Sequence, residues 1–358
     1  MKNILIVTGG SGGHVIPSIS IFEHLKDKYN VKIVTDFRGS KFIDKKKFNF
    51  DIIDVPNLFT KPYLLPINIF KYIYNIIQSL KFLKKENVNT LISTGGYMTF
   101  PFCVAAFLLK KKIILLEPNF VLGRSNKISL KFSDKIICYK DEIKNFPKKY
   151  NSKKVVLAPI LKKKFYGITK NKINNVNNNY KILIIGGSQG ASFFDNKVTD
   201  LIIEISKKKK FDILQQISNS DSISLIKKKY DNAKISYSFF EFSTESQKIF
   251  NNVDLAITRG GANTLNELSF LGIPFLVIPL PSAKDNHQFH NANYYYEKNC
   301  CWLIDQDKFE IEKVSNLIFN IFTNNKDFSE KITNLNKFKK KNNWNNINNN
   351  IIEIIDEN

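Results

Sequence analysis

The residues Gly9–His14 (GGSGGH) combine a flexible glycine loop with an imidazole that can titrate near neutral pH. They follow the apolar run Ile4–Val7, which predicts a buried strand of a parallel sheet, and they open a helical pattern. Glycines let the backbone turn tightly beside a ligand, and the unpaired N–H groups of a helix N-terminus favour anions. Ligands of α/β proteins bind at the carboxyl ends of such strands. We therefore predict that His14 acts there as a general base toward a substrate hydroxyl.

A second loop of this kind, Arg259–Glu267 (RGGANTLNE), follows the strand pattern Leu255–Thr258 and opens a helix. Its backbone N–H groups at residues 261–264 predict a diphosphate site, because they lie at the positive end of the helix dipole. Glu267 follows about one turn later, where a carboxylate can accept hydrogen bonds from both hydroxyls of a ribose. These features predict a nucleotide site in the second half of the chain.

Two further segments of the second half carry polar groups suited to ligands. The loop Gly186–Ala191 (GGSQGA) offers the Ser188 hydroxyl, but it lacks the Lys-Ser/Thr pair of a P-loop, which disfavours ATP hydrolysis. Asp285, Gln288 and Asn291 recur at helical spacing after a proline-rich break. Their carboxylate and amide groups are suited to sugar hydroxyls.

Metal and disulfide chemistry are not predicted. His287 and His290, at i and i+3, are the nearest approach to a ligand pair, and no carboxylate has a spacing that would complete a site. None of the four cysteines lies in a C-x-x-C pair, and adjacent Cys300 and Cys301 cannot join distant segments. We expect a reduced protein without a metal or cofactor.

The elements that must position these loops form two similar sets. The run Lys2–Gly13 and the run Lys181–Gly190 each contain an apolar strand pattern followed by a glycine turn, which predicts two Rossmann-like domains in tandem. Further strand patterns alternate with helical ones. They lie at Val31–Thr35, Thr90–Ser93, Ile113–Leu116, Lys135–Cys138, Asp212–Gln216, Leu255–Thr258 and Phe275–Pro279.

The domain boundaries follow from composition. The polar, asparagine-rich segment 162–179 predicts a linker, and a final apolar helix after the asparagine-rich 342–350 predicts a docked C-terminal element. We therefore expect an N-terminal domain of residues 1–160, on which residues 340–358 pack, and a C-terminal domain of residues 161–339.

The positive charge is unevenly distributed. The 358 residues include 54 Lys and Arg against 32 Asp and Glu, but only three of the basic residues are Arg. Residues 1–160 carry 27 basic and 11 acidic residues, whereas residues 161–358 carry 27 and 21. A nucleic-acid partner would favour arginine, the preferred reader of guanine and phosphate. The shortage of acids in the first half is consistent either with a different anionic partner or with a solvated surface.

The helical stretch Pro66–Lys85 has more apolar positions than a core face requires, and it is interrupted by lysines. Two interpretations stay open: a helix lying at an anionic membrane interface, or a core helix with irregular edges. The sequence has no apolar stretch long enough to span a bilayer and no signal-peptide pattern at its start, so we expect a protein on the cytosolic side.

Taken together, these motifs make the chain resemble the peptidoglycan-synthesis glycosyltransferases of family 28, which make the second lipid-linked precursor. Six motifs in the same order carry the resemblance. They are Gly9–Pro17, Gly95–Tyr97, Glu117 with Asn119, Gly186–Ala191, Arg259–Glu267 and Asp285–Ala292.

The resemblance implies a fold and a reaction. The fold is an α/β GT-B fold, in which two Rossmann-like domains with parallel sheets are separated by a cleft and the C-terminal helix returns to the first domain. The reaction transfers N-acetylglucosamine from UDP-GlcNAc to the 4-hydroxyl of the muramoyl sugar of a polyprenyl-diphosphate-linked pentapeptide. It inverts the anomeric carbon to give a β linkage. The implied partners also include an anionic membrane surface, at the cytoplasmic face of the bacterial inner membrane, and no nucleic acid.

The resemblance also implies roles for individual residues. His14 matches the histidine proposed to deprotonate the acceptor, Glu267 the ribose ligand, and Ser243 a position whose backbone reads uracil. The donor-contacting positions are Ser11, Gly12, Gly13, Asn119, Ser188, Ser243, Ala262, Asn263, Thr264, Glu267 and Gln288.

Two departures from the family pattern stand out. Leu116 occupies the place of a family histidine, so any role of that histidine is lost here. Leu161 occupies the place of a donor-binding arginine, and Lys162 lacks the planar stacking surface of arginine. We expect weaker donor binding or a locally altered pocket.

Three other functions remain open from the sequence. A UDP-GlcNAc epimerase would share the fold but need no lipid acceptor. A nucleotide-dependent dehydrogenase is suggested by Asp36, which ends the second strand where a ribose-binding acid would lie, although the loop is not G-x-G-x-x-G. A nucleic-acid binder would show steeply salt-dependent affinity.

Overall fold

The computed structural model describes residues 1–55, 65–168, 180–187, 191–217, 220–241, 243 and 245–357. The chain divides into two compact units. Unit 1 comprises Met1–Tyr166 with Asn342–Asn358, and unit 2 comprises Gly167–Lys341. The sequence placed the first boundary after residue 160, and the contacts place the division after Tyr166.

Unit 1 is built on a parallel sheet of seven strands in the order β3-β2-β1-β4-β5-β6-β7. Its central strands are buried on both faces, which explains why they are continuous apolar runs in the sequence. The strands are β1 (Asn3–Val7), β2 (Asn30–Thr35), β3 (Phe50–Ile52), β4 (Thr90–Ser93), β5 (Lys112–Glu117), β6 (Lys135–Cys138) and β7 (Lys154–Val156).

Helices connect these parallel strands, and one helix returns to unit 1 from the end of the chain. They are α1 (Gly12–Leu25), α2 (Phe37–Ser40), α3 (Leu65–Lys85), α4 (Thr99–Leu108), α5 (Arg124–Ser129), a 3₁₀ turn (Lys148–Lys153), α6 (Lys163–Tyr166) and α15 (Trp344–Asp356). Buried isoleucines of α15 pack against α1. Lys2 and Lys28 each lie 2.8 Å from the Asp356 carboxylate.

His24 on α1 is central to that packing. Its ring stacks on Trp344 with 3.8 Å between centroids, Nε2 lies 3.0 Å from the carbonyl oxygen of Leu161, and Nδ1 contacts Asn348. Burial lowers the pKa of His24 to about 4, against the raising effect of its hydrogen bonds to Asn348 and Leu161. The ring is therefore neutral at physiological pH.

Unit 2 repeats the strand order of unit 1 in a parallel sheet of six strands, β10-β9-β8-β11-β12-β13. An apolar core of isoleucine, leucine and aromatic side chains fills the space between the sheet and its helices. The strands are β8 (Tyr180–Ile185), β9 (Phe211–Gln216), β10 (Ser236–Phe240), β11 (Leu255–Thr258), β12 (Phe275–Val277) and β13 (Cys301–Leu303).

Unit 2 contains eight α-helices among its described residues, and a π-helical turn, Phe194–Val198, joins the first of them to the second. They are α7 (Ala191–Phe193), α8 (Thr199–Ser206), α9 (Ser220–Asn232), α10 (Ser246–Phe250), α11 (Ala262–Leu271), α12 (His287–Glu297), α13 (Ile311–Thr323) and α14 (Asn325–Lys341). Two 3₁₀ turns lie at Lys284–Asn286 and Gln306–Lys308.

Every strand predicted from the sequence is present, within one or two residues of its expected limits. Four strands were missed: β3, β7, β10 and β13. The prediction of a linker over 162–179 was wrong at its start, because α6 is helical and both Lys162 and Phe165 are buried. Residues 169–179 lie outside the described residues.

The Pro66–Lys85 stretch forms α3, which has a buried inner face and an exposed apolar outer face. Tyr72 and Leu83 are buried on the inner face, where Tyr72 contacts the ring of Phe100 on α4. On the outer face four large apolar side chains are exposed at i, i+3, i+4 and i+7 spacing: Phe70, Ile73, Tyr74 and Ile77. Among the described residues, no helix is long and apolar enough to cross a membrane.

Candidate active site

In unit 1 the candidate site lies where the strand order reverses, between β1 and β4. Gly10, Gly95 and Gly96 have φ angles of +85°, +92° and +93°, which favour glycine. The two loops approach so closely that a Cβ at Gly96 would lie 2.8 Å from the carbonyl oxygen of Gly9. These glycines are needed for the loops after β1 and β4 to meet.

His14 lies between these two loops and is half-buried. Its Nδ1 is 2.9 Å from the carbonyl oxygen of Thr94. Because a carbonyl oxygen only accepts hydrogen bonds, Nδ1 carries the proton of the neutral ring and Nε2 has the acceptor lone pair. A Cβ at Gly95 would lie 3.0 Å from Nδ1, so the absence of a side chain there makes room for the imidazole. This tautomer can take a proton at Nε2.

Ser11, Gly12 and Gly13 form the N-terminus of α1. Ser11 is the N-cap with extended backbone angles, and its carbonyl oxygen accepts from the N–H groups of His14 and Val15 at 3.0 and 3.2 Å. The N-cap side chain makes no capping hydrogen bond, and the first turn contains no acidic residue. The positive end of the helix is therefore not neutralised by a local carboxylate.

Asp36 contradicts the dehydrogenase interpretation. Its side chain is fully buried, and Oδ1 accepts hydrogen bonds from the N–H groups of Gly10 and Gly39 at 2.8 and 2.7 Å. Oδ2 accepts from the Tyr97 hydroxyl at 3.0 Å. The carboxylate that would bind a ribose is thus committed to holding the glycine loop, a role that depends on partners distant in the sequence.

Glu117 plays a similar part after β5. This buried carboxylate accepts from the N–H and the side-chain amide of Asn119 at 3.1 and 3.0 Å, and from the N–H of Gly123 at 2.7 Å. Asn126 donates to it at 3.0 Å. Asn119 is therefore positioned by Glu117. Leu116 is fully buried and offers no titratable group where the family has a histidine.

In unit 2 the corresponding site lies between β8 and β11. Gly260 is pressed against α12, since a Cβ there would lie 2.2 Å from the carbonyl oxygen of Gln288. The Gln288 side-chain oxygen accepts from the N–H groups of Gly260 and Leu280 at 3.1 and 3.0 Å. Asn291, buried, donates to the carbonyl oxygen of Gly260 at 3.0 Å. Asn291 therefore supports the loop. The prediction that its side chain faces a sugar is wrong.

The next residues form the N-terminus of α11. Gly261 is the N-cap with extended backbone angles and has no side chain to cap the helix, and the first turn has no acidic residue. Ala262, Asn263 and Thr264 make up that turn. Its N–H groups are arranged as an anion site requires.

Glu267 lies one turn further along α11 and is 6% exposed. Its Oε2 accepts from the Ser246 hydroxyl on α10 at 3.1 Å. Ser243 precedes α10, and its hydroxyl accepts from the N–H of Glu245 at 3.0 Å. The structure thus brings Glu267 and the α10 segment together. Ser188 lies outside the described residues.

Arg259 was not among the residues assigned a role from the sequence. The buried guanidinium donates from Nη1 to the carbonyl oxygens of Ile278 and Pro279 at 3.0 and 3.3 Å. It also lies 5.2 and 4.8 Å from the ring centroids of Phe193 and Phe194. Burial lowers the pKa of Arg259 to about 10, so it stays cationic at neutral pH. The signal in the sequence was an arginine at the end of a buried strand.

Two remaining points from the sequence concern the missing family arginine and the possible metal ligands. Leu161 and Lys162 are both buried in unit 1, at 5% exposure each. His287 is half-buried and its Nδ1 lies 2.8 Å from the carbonyl oxygen of Lys284. In the described part of the chain, no group of three or more His, Cys, Asp or Glu side chains is arranged to hold a metal ion.

Comparison with known protein structures supports the fold. The crystal structure of MurG from Acinetobacter baumannii superposes with a TM-score of 0.75 at 22% identity, covering 99% of each chain. A putative UDP-N-acetylglucosamine 2-epimerase from Listeria monocytogenes has a TM-score of 0.68 at 12% identity, covering 100% of this chain and 97% of that one. At these identities the likeness shows the shared GT-B fold, with two Rossmann-like domains, but not the reaction.

Sequence comparison is more specific. Residues 4–138 match the glycosyltransferase family 28 N-terminal domain, and residues 181–347 match the family 28 C-terminal domain. A Pelagibacter ubique protein is 43% identical over 100% of this chain and 99% of its own length. A Rickettsia bellii protein is 34% identical over 95% and 96%. Both are named UDP-N-acetylglucosamine–N-acetylmuramyl-(pentapeptide) pyrophosphoryl-undecaprenol N-acetylglucosamine transferase. The chain therefore belongs to glycosyltransferase family 28.

Proposed function

We propose that this chain transfers N-acetylglucosamine from UDP-GlcNAc to the 4-hydroxyl of a muramoyl-pentapeptide linked through diphosphate to a polyprenol. Family membership and the names of the full-length relatives support this reaction. The observation that carries it is His14, whose Nδ1 contact with Thr94 makes Nε2 the nitrogen that can take a proton, at the reversal point of the sheet.

The proposed chemistry is an inverting displacement. The acceptor 4-hydroxyl oxygen bonds to the anomeric carbon as the bond from that carbon to the UDP oxygen breaks. The hydroxyl proton passes to Nε2 of His14, and UDP leaves with an added negative charge. The N-terminus of α11, at Gly261–Thr264, would stabilise that charge through its helix dipole and through N–H groups that are already oriented.

Donor binding is proposed to divide among the described residues. Glu267 would accept from the ribose hydroxyls, because it is held beside the α10 segment that contributes the uracil-reading position Ser243. The Gln288 side-chain oxygen already accepts two backbone bonds, so its amide nitrogen is the group proposed to meet the sugar. The full proposed donor set is Ser11, Gly12, Gly13, Asn119, Ser188, Ser243, Ala262, Asn263, Thr264, Glu267 and Gln288.

The missing family arginine changes one part of this picture. Leu161 is buried and apolar, and the neighbouring Lys162 is buried as well. Neither offers a planar guanidinium to stack on a base or fork to a phosphate. We therefore propose that the donor is bound more weakly here than in relatives that keep the arginine.

We also propose that unit 1 docks on an anionic membrane at the cytoplasmic face, through what we call the α3 face: Phe70, Ile73, Tyr74 and Ile77. These side chains are 45–74% exposed, and Phe107 and Leu108 at the end of α4 are also exposed. The helix α3 contains four lysines and no acid. An exposed aromatic and aliphatic stripe flanked by lysines is typical of interfacial helices.

The test is an assay with the full chain, labelled UDP-GlcNAc and the lipid-linked muramoyl acceptor. The expected result is a β-linked lipid-bound disaccharide that requires both substrates. Conversion of UDP-GlcNAc to UDP-ManNAc without acceptor would instead identify an epimerase. Absence of both products under conditions where UDP binds would contradict the proposal.

A further inference from the structure

Arginine is rare in this chain, and its three occurrences share a place in the fold. Of the 54 Lys and Arg residues, only Arg38, Arg124 and Arg259 are arginines. Arg38 follows β2, Arg124 begins α5 in the segment after β5, and Arg259 directly follows β11. All three therefore follow the carboxyl ends of strands, where α/β proteins bind ligands. Arginine presents a planar fork of donors that matches phosphate and carboxylate oxygens.

Arg38 is held beside the glycine loop but stays accessible. Its guanidinium carbon lies 5.0 Å from the centroid of the Tyr97 ring, and Nε lies 3.7 Å from Oδ2 of Asp36. A Cβ built at Gly10 would lie 3.6 Å from Nη2 of Arg38. The Arg38 side chain is nevertheless 59% exposed. A stacked but exposed guanidinium loses little further freedom when it binds a ligand.

The ion pair with Asp36 does not use up this guanidinium. Asp36 is already satisfied by hydrogen bonds from Gly10, Gly39 and Tyr97 at 2.7–3.0 Å. The distance of 3.7 Å from Arg38 exceeds that of an ordinary N–H···O hydrogen bond. Asp36 attracts Arg38 and orients it with Tyr97, while the exposed part of the fork faces solvent next to the glycine loop.

We propose that Arg38 is a binding residue for an oxyanion of the acceptor. This inference rests on the proposed function, which gives the acceptor two sources of such oxygens: its diphosphate and the carboxylates of its peptide. The guanidinium would bind the oxyanion beside the N-terminus of α1, whose first turn has no acidic residue and whose dipole favours negative charge. Arg38 takes no part in proton transfer, so its contribution is to acceptor affinity.

The test compares Arg38→Ala and Arg38→Lys in the full chain, with steady-state kinetics in both substrates. For Arg38→Ala we expect the KM for the acceptor to rise about tenfold, the size of one lost charged hydrogen bond. The kcat and the KM for UDP-GlcNAc should stay within about twofold on the same reasoning. Arg38→Lys should fall between, because it keeps the charge but not the fork. The matched control is Lys41→Ala, an exposed cation at the end of the same short helix.

A binding measurement separates this inference from the proposed function. The dissociation constant of a short-prenyl diphosphate-linked muramoyl-pentapeptide is measured without UDP-GlcNAc, so it needs no turnover. A larger dissociation constant for the acceptor in Arg38→Ala supports the inference even if no transfer is detected. Repeating the measurement with an acceptor whose peptide carboxylates are converted to amides distinguishes the two sources. If Arg38→Ala still lowers the affinity for this acceptor, Arg38 binds the diphosphate; if it no longer does, Arg38 binds a peptide carboxylate. An unchanged acceptor constant in Arg38→Ala, or an equal loss in Lys41→Ala, would overturn it.

Discussion

The two units share a strand order but fix their ligand loops with different chemistry. In unit 1 the loops after β1 and β5 are held by two buried carboxylates, Asp36 and Glu117. In unit 2 the loop after β11 is held by two amides, Gln288 and Asn291. Carboxylates bind several N–H donors strongly, but each one used in this way is withdrawn from the surface.

This difference bears on the charge of the first half. Residues 1–160 contain only 11 acids against 27 basic residues, and two of those acids are buried under the loops. Residues 161–166 and 342–358 add three lysines and three acids to unit 1, and Lys162 among them is buried. The exposed surface of unit 1 is therefore slightly more cationic than its composition. An amide-held loop, as in unit 2, leaves the surface charge unchanged. The comparison separates unit 1, proposed to bind the anionic lipid acceptor and to take the proton, from unit 2, proposed to bind the ribose and uracil of the donor.

The largest expected effect separates proton transfer from nucleotide binding. His14→Ala removes the proposed base in unit 1, so kcat should fall about 10²- to 10⁴-fold, the usual contribution of a general base. The dissociation constant of UDP, measured by calorimetry, should stay within about twofold of the native value, since the residues proposed to bind ribose and uracil, Glu267 and Ser243, lie in unit 2. Near-normal turnover would remove His14 as the base, and a large loss of UDP affinity would break the division of labour.

The next effect concerns pH and unit 1 alone. The pKa of buried His24 is lowered to about 4, so the unfolded chain binds its proton first as pH falls. The contribution of His24 to the unfolding free energy of unit 1 should be fully present above its unfolded-state pKa near 6.5. It should decline as the pH falls from there to about 4, with a total loss of up to about 3 kcal/mol. Each unit has one tryptophan, Trp344 stacked on His24 and Trp302 bonded to Asp327. Single-tryptophan variants in denaturant titrations at several pH values would follow the units separately.

The matched variant for that experiment is His24→Phe, which keeps a ring against Trp344 but cannot titrate. Its unfolding free energy, followed through Trp344, should change less between pH 6.5 and 4.5 than that of the native chain. The Trp302 signal should have the same pH dependence in both proteins. An unaltered slope for Trp344 would mean that His24 is not the group responsible.

A smaller effect is expected at the nucleotide. Glu267→Gln replaces a charged acceptor of ribose hydroxyls, which is worth about 1.5–3 kcal/mol, or about 10- to 100-fold in the KM for UDP-GlcNAc. The KM for the acceptor should be unaffected. The control is Glu245→Gln, since Glu245 carries a carboxylate that pairs with exposed Lys248 nearby. An unchanged KM for UDP-GlcNAc would reject the ribose role of Glu267.

The smallest effect tests the surface of unit 1. Lys81 continues the α3 face one turn beyond Ile77 and is exposed. Lys81→Gln should weaken binding of the full chain to phosphatidylglycerol vesicles about fivefold, the value of about 1 kcal/mol for one lysine at an anionic surface. Lys228→Gln on α9 of unit 2 removes another exposed lysine and should have no effect. Equal losses of vesicle affinity in the two variants would mean that binding depends on the net charge of the chain and not on the α3 face.

Much of the architecture follows from local pattern. Strands such as β1 and β8 are buried on both faces, so they are unbroken apolar runs that end in glycines, and both were predicted. The strands β3, β7 and β13 have three residues each, too few for periodicity to distinguish them from loops, whereas the equally short β12 was predicted because it lies in the longer apolar run Phe275–Pro279. Their pairing depends on the sheet already formed beside them.

The local settings of the candidate site were predictable to the same degree. The helix N-termini that carry His14 and Ala262 were predicted where the structure has them, because glycines mark both in the sequence. The roles of Asp36 and Asn291 could not, because each is set by a backbone partner many residues away. Asp36 has the position of a ribose ligand in the local sequence, and only the approach of Gly10 and Tyr97 shows that its oxygens are occupied.

The return of α15 to unit 1 has a consequence for how the protein is made. Unit 2 is continuous in the chain, whereas unit 1 needs a helix that is translated after all of unit 2. At roughly 5–20 residues per second, the ribosome takes about 10 to 40 s to proceed from Tyr166 to that helix. During this interval the nascent chain has no Ile351 or Ile354 to cover α1. Translation of the last helix, rather than of the first domain, therefore completes the domain proposed to meet the membrane.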